Sequence, residues 1–437
     1  MDMPSVGSPY FDAATETMDR TDLEAMQEER LRSLLPHAYE HSPLVRRAWD
    51  EAGAHPRDVR TLDDFAERAP FVDKATLRRW RTEHADPYGG LLAVPEDDLT
   101  AVMSTSGTTG APTLVPEQWG GGGRPAVLIR DFWGMGVRPG DHIALFLFTY
   151  RGPIYGFVHL LECVPILLDY DADELERLCE LSLAYRPTTL YNLGNTMVHA
   201  LGDLAERTGI DLADVFASYR GVVSAGEPLG RRARERAASW GVDLYEHSRV
   251  GDVTGSFECG EHDGLHVWED TALVECLDPD GADPVPDGDR GELVATTLVN
   301  EVAPLVRYRS DDLVRVTRER CACGRTHLRM FPLGRKGDEV VVDGRSVLPS
   351  DVWDAVETVD ATAAGLFQVV RPDREVDRLR LRVGHAGVPD ARLDSVRDDV
   401  VGAVAAAVGV EPEVELVPQG DLLRLGPPHK IPRVTPR

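Results

Sequence analysis

The 437-residue sequence predicts an α/β protein: a large N-terminal α/β domain with mostly parallel sheets and a β-rich subdomain, then a small C-terminal α+β domain. Three observations carry this. The chain is too long for one ordinary core, so two or more domains are expected. From 130 to 300, short apolar runs alternate with amphipathic Glu/Arg-rich stretches, the pattern of parallel strands joined by helices. At GRKGDEVVVDGRSVLP (334–349) the chain changes character, which places a boundary near 332 and divides it into 1–331 and 332–437.

Taken in order, residues 21–52 carry Leu, Met and Ala at helical spacing, with interruptions expected near Pro36 and Pro43. A second helix is expected over 73–84. Residues 98–116 turn hydroxyl- and Gly-rich, and Gly120 to Gly123 read as a loop. HIALFLF (142–148), VPILLDY (164–170), TTLYNL (188–193) and GVVSAG (221–226) read as buried strands. Residues 173–186 and 230–241 read as the intervening helices. From 265 to 315 the pattern is mostly β: HVWED, ALVECL, GELVATTL and DLVRV, separated by turn residues. Beyond 332, DVWDAVETV is helical, LRLRVG a strand, DARLDSVRDDVVGAVAAAVG helical and EVELVP a strand.

With 42% hydrophobic and 28% charged residues the composition is globular. A net charge of -27 argues against nucleic acid or an anionic membrane as partner, so a polyanionic ligand needs a local positive or amide-rich pocket. The N-terminus has no basic segment followed by an apolar run, and no apolar stretch approaches the ~20 residues that span a bilayer. A cytoplasmic protein is expected. Six cysteines without a signal peptide do not suggest a disulfide framework. Of the 47 Lys+Arg residues only Lys74, Lys336 and Lys430 are lysines, so a retained lysine is a pointer to function. A compact ammonium and a guanidinium fork are not interchangeable.

Two patterns carry chemistry. Ser104-Thr105-Ser106-Gly107-Thr108-Thr109-Gly110-Ala111-Pro112-Thr113 can turn backbone N–H groups inward as an anion-holding nest, with hydroxyls as further donors. It is not a Walker loop, because no Gly-Lys-Ser/Thr follows. Cys321-x-Cys323, with Cys259 and His266, forms a plausible closed zinc set of three thiolates and one imidazole; His262 competes for the histidine place, and buried free thiols are the alternative.

The Ser104–Thr113 segment resembles the phosphate-binding loop of the adenylate-forming (ANL) superfamily. Further segments are similar to its phenylacetate–coenzyme A ligase branch: 31–78, SAGEPLG (224–230), YEHSR (245–249), RYRSDDLVRV (307–316), GRKGDEVVVDGRSVLP and LGPPHKIPRV. The resemblance implies that a small acid is activated with ATP as an acyl-adenylate and passed to a thiol, coenzyme A being the second substrate. It implies nucleotide binding by Ser104 to Gly110, Gly226, Glu227, Pro228, Tyr245, Asp312 and Arg335, with Asp312 on the ribose hydroxyls. Tyr245 is open to two readings, a stack on adenine or a core tyrosine. Lys430 would enter between the acid's oxygen and the α-phosphate, where a preorganised positive charge stabilises the transition state. The small domain would be mobile, with its hinge at 336–338. The acid pocket would involve Phe148, Tyr150, Tyr155, Gly156, Ser224 and Ala225, aromatic walls that suit a flat aromatic acid. A structural zinc on Cys259, His266, Cys321 and Cys323, magnesium beside ATP and a homodimer also follow from the resemblance.

The sequence departs from the family at Arg249, which stands where the magnesium-holding glutamate is expected, and at Glu246, which stands for a glycine. Three readings are open. Glu246, Asp252 or Glu258 holds the metal; Arg249 contacts phosphate or an anionic substrate, joining Lys430 as a catalytic candidate; or the first half-reaction is altered or lost. The second reading admits nitrite as the activated anion, diazotising an aryl amine in natural-product biosynthesis. A degenerate, non-catalytic nucleotide-binding protein is the third class.

Overall fold

The computed structural model describes residues 3–104, 114–118, 124–148, 156–425 and 430–436. The chain divides into two compact units. One comprises 1–140, 148–164 and 247–332; the other comprises 141–147, 165–246 and 333–437.

In the first unit, helices Arg20–His41, Pro43–Glu51, Leu62–Arg68 and Lys74–His84 cover the N-terminal region. Leu31, Leu35, Ala38, Val45, Trp49 and Phe65 share one buried cluster. The break expected at Pro43 is present, with Ser42 capping and Pro43 in the first turn, where its missing N–H costs nothing. The break expected at Pro36 is absent, because Pro36 lies inside Arg20–His41. Burial of Leu31, Leu34, Leu35 and Ala38 on either side of it offsets a defect of about 3 kcal/mol.

The β-rich part places Ala272–Leu277, Gly291–Thr297, Tyr308–Thr317, Arg329–Arg335, Leu265–Val267 and Thr254–Glu258 side by side in that order. Gly291–Thr297 is buried at every position, including the polar Glu292, Thr296 and Thr297. Ala101–Ser104 pairs with Leu114–Glu117 as a separate antiparallel hairpin, with Ser104 opposite Leu114.

In the second unit, His142–Leu147, Thr189–Tyr191 and Gly221–Ala225 are parallel neighbours. Helices Leu175–Tyr185, Asn195–Thr208 and Arg231–Ser239 connect or follow them, matching the expected α/β alternation. Val164–Asp169 is also a strand, but of its six residues only Leu168 is buried while Val164 and Leu167 are exposed, so the expectation of a buried strand fails there. The C-terminal stretch forms a four-stranded sheet in the order Glu413–Pro418, Arg380–His385, Phe367–Val370, Val434–Thr435. Helices Pro349–Thr358 and Asp390–Val408 supply Val352, Val356, Val400 and Val404 to its core. Among the described residues no helix is long and apolar enough to cross a membrane.

Candidate functional site

The first unit brings Cys259, His266, Cys321 and Cys323 together, with their four ligand atoms all within 4.8 Å of one another. The strands explain the convergence. Leu265 pairs with Glu258 and His266 with Phe257, which sets His266 beside the end of the strand that delivers Cys259. Cys321 and Cys323 sit on a tight turn closed by Gly324 N–H to Cys321 O at 2.9 Å. Gly324 has φ +92°, and a Cβ there would come within 2.2 Å of the Tyr10 hydroxyl oxygen, so this turn needs glycine. Cys259 Sγ lies 3.7 Å from Cys321 Sγ, and Cys323 Sγ lies 3.4 Å from His266 Nε2. A hydrogen bond from Cys259 holds Cys323 far below the ordinary thiol range; the same bond, with burial, pushes Cys259 up. His262 turns elsewhere, its Nδ1 3.3 Å from the Glu258 carboxylate.

Behind the cluster Arg325 forms a buried ion pair with Glu16 at 2.9 Å, both side chains at most 4% exposed. The Arg325 guanidinium lies over Phe257 and Tyr10 at 5.2 Å. Neither Glu16 nor Arg325 was singled out from sequence, because the two are 309 positions apart and each reads alone as a surface charge.

The same unit holds Ser104, Asp312 and Arg249. Ser104 ends its strand at the mouth of the hydroxyl-rich segment, while Thr105, Ser106, Gly107, Thr108, Thr109 and Gly110 lie outside the described residues, as do Tyr150 and Tyr155. Asp311 and Asp312 are distinguished by backbone. The pairing slips between Glu292 and Val294, and Asp311 takes φ +64° and is exposed. Asp312 is half-buried, its N–H bonded to Ser310 Oγ at 3.1 Å, and Ser310 donates to Leu293 O at 2.8 Å. A bulge of this kind re-aims side chains beside it. Arg249 Nη2 donates to Asp252 O at 3.0 Å, with Nε 3.9 Å from the Asp252 carboxylate. Phe148 and Gly156 are half-buried, and Gly156 opens helix Gly156–Leu160.

The second unit holds Ser224, Ala225, Gly226, Glu227, Pro228, Tyr245, Arg335 and Lys430. Ser224 is buried near the end of strand Gly221–Ala225, and Gly226 turns the chain at φ +110°. Glu227 is held from two sides. Asn195 Nδ2 donates to one carboxylate oxygen at 3.1 Å, and Arg433 Nη2 donates to the other at 3.0 Å. Asn195 also donates to Pro228 O and accepts from Gly230 N–H, both at 2.8 Å. Glu246 is a brace for the same turn, accepting from Leu229 N–H at 3.0 Å and Arg234 at 2.8 Å. Tyr245 is half-buried on strand Leu244–Val250, Arg335 is exposed at the end of its strand, and Lys430 is half-buried. Asn195 and Arg433 were not singled out from sequence, although Arg433 lies inside the LGPPHKIPRV segment and Asn195 two residues beyond TTLYNL.

Comparison with known proteins gives one consistent picture. The chain is 31% identical to a phenylacetate-coenzyme A ligase of Thermus thermophilus, across 94% of this chain and 95% of the relative. It is 32% identical to the enzyme of the same name from Aromatoleum evansii, covering 84% and 83%. Among solved structures, a 2-hydroxyisobutyryl-CoA ligase in the postadenylation state, in complex with R3-HIB-AMP, superposes with a TM-score of 0.86 at 25% identity, covering 99% of this chain and 94% of that one. No family model matches the chain.

Proposed function

This chain belongs to the phenylacetate–coenzyme A ligase family, and from that premise we propose that it joins a small aromatic acid to coenzyme A. It is an ATP-dependent, AMP-forming ligase. A carboxylate oxygen attacks the α-phosphorus of ATP, pyrophosphate leaves, and the coenzyme A sulfur then attacks the acyl carbon and displaces AMP. The observation that carries the reading is likeness across nearly the whole chain to ligases of this kind, one of them bound to its acyl-adenylate. Nothing in these likenesses supports nitrite as the activated anion.

Within that reaction Asp312 takes the ribose hydroxyls, and Ser104 opens the phosphate loop that continues through Gly110. The Gly226–Glu227–Pro228 turn with Tyr245 takes the adenine side. Arg335 approaches ribose and phosphate, and Lys430 stabilises the charge that develops as the two anions meet. Phe148, Gly156, Ser224 and Ala225 belong to the acid pocket, with Tyr150 and Tyr155. Residues 332–437 act as the moving lid, and the protein works as a homodimer.

Magnesium needs a carboxylate, and the three candidates differ. Glu246 already braces the turn, and Glu258 is buried against His262. That leaves Asp252, whose carboxylate is 3.9 Å from Arg249, as the candidate holder of the ion; Arg249 would then contact the phosphates. Cys259, His266, Cys321 and Cys323 would hold a structural zinc. A tetrahedral ion with zinc–sulfur bonds of ~2.3 Å has a sulfur–sulfur edge of about 3.8 Å, close to the 3.7 Å between Cys259 and Cys321 and far from a disulfide. Four protein ligands leave no open position, so the ion shapes the fold and takes no part in the reaction.

The deciding experiment follows AMP and pyrophosphate release across aromatic acids, and across nitrite with aminoaryl acids, with and without coenzyme A. Release driven by an aromatic acid, ending in its coenzyme A thioester, is expected. Release that requires nitrite would overturn the assignment.

A further inference from the structure

Arg433 stands at a junction that the reaction scheme above does not use. Its guanidinium lies 3.6 Å from the centre of the Trp353 ring and 4.9 Å from that of Phe367. Nη1 donates to Gly365 O at 2.5 Å, and Nη2 reaches the Glu227 carboxylate at 3.0 Å. Only 11% of the Arg433 side chain and 8% of Glu227 are exposed. The backbone of Arg433 is fixed as well, because its carbonyl accepts from Val369 N–H at 2.7 Å where Val434–Thr435 joins the C-terminal sheet. Lys430 precedes it by three residues, within about 10 Å of extended chain.

We infer that Arg433 is a positioning residue: its ion pair with Glu227 ties the segment bearing Lys430 to the nucleotide-side turn for the adenylate-forming step. This rests on the function proposed above. A stacked, bidentate-capable guanidinium is pre-organised, so little freedom is lost in making the contact. Both partners are largely withdrawn from water, so the pair is specific in geometry, and either partner left alone is costly. Two neighbouring contacts act in the same direction. Arg232 N–H donates to the Glu357 carboxylate at 3.0 Å, and Arg232 Nη2 pairs with Asp360 at 2.7 Å. These tie the start of helix Arg231–Ser239, just beyond the turn, to the C-terminal stretch. Arg433 differs from them in gripping the turn itself, close to the lysine.

The two half-reactions separate this role from a general structural one. In Arg433→Met, pyrophosphate exchange driven by the aromatic acid that wild type activates best should fall by about 10²-fold, since a misplacement near 1 Å suffices for that loss. Thioester formation from the pre-made acyl-adenylate and coenzyme A should stay within about twofold. Arg433→Lys, which keeps the charge and loses the stack, should recover part of the exchange. Equal losses in both half-reactions, or no loss in either, would overturn the inference. Hydrogen exchange tests the contact without any acid. The amides of 224–230 should exchange roughly tenfold faster in Arg433→Met than in wild type, and unchanged protection there would overturn the inference even in a protein that activates no acid. Wild type that shows no acid-driven exchange, with the amides behaving as expected, would count against the proposed function and leave the contact standing.

Discussion

Around Cys259, four ligand atoms converge from one folded unit, three of their residues are buried, and a buried Glu16–Arg325 pair closes the back. Around Glu227, the contacts are side chains reaching from separate segments: Asn195, Arg433, and, for the neighbouring turn, Glu246 and Arg234. The first region has the chemistry of a fixed joint, built from four converging ligand atoms and a buried ion pair on elements of one unit. The second is made of individual charge-assisted contacts, each of which can break while its strands and helices stay intact. A ligase that runs two steps needs both kinds of construction, one to hold shape and one to change partners.

That contrast can be broken at its rigid end first. Prolonged chelation of the zinc-loaded protein should lower stability by on the order of 5 kcal/mol or more, because the folded site binds the ion and the unfolded chain holds it poorly. Metal analysis of the purified protein should find one zinc per chain, and its absence would end the zinc proposal. Arg325→Met leaves the Glu16 carboxylate buried without its partner and should cost about 3–5 kcal/mol in denaturant unfolding. A cost near zero would show that the pair is no part of the joint.

The changeable end responds in rate. Lys430→Ala should slow adenylate formation by roughly 10²-fold or more, about 2.7 kcal/mol, with the unfolding midpoint unmoved. A wild-type rate would remove Lys430 from the mechanism.

A smaller effect should appear with pH. His199, on helix Asn195–Thr208, is pushed down to about 4, first by burial and then by the Arg236 guanidinium 3.4 Å away. The folded protein therefore binds this proton less readily than the unfolded chain does. Its contribution to stability is intact above the unfolded value near 6.5 and is lost as pH falls towards 4, by about 2.5 kcal/mol. His199→Gln should flatten the stability profile across that window. An unchanged slope between pH 6.5 and 4 would assign the loss to other groups.

Much of this architecture is legible in the amino-acid sequence. The parallel strands at 142–147, 189–191 and 221–225 lie within runs whose apolar character marked them as buried. The C-terminal helix and strand pattern follows its periodicity nearly to the residue, as with Glu413–Pro418. Pro36 misled because a local rule was applied to a helix whose buried face outweighs it. At the candidate site, Cys259, His266, Cys321 and Cys323 could be picked out because few residue types bind zinc, although only strand register decided between His266 and His262.

What the sequence determined by itself was the class of chemistry: the order of its motifs, one lysine among very few, and cysteines at ligand spacing. Tertiary structure alone decided the partnerships. Glu227 meets Arg433 across 206 positions, Glu16 meets Arg325 across 309, and Asp312 is set apart from Asp311 by a slip in strand pairing. The physical reason is that local pattern records which face of an element is buried, whereas an ion pair depends on where two distant backbones are brought by the packing of everything between them.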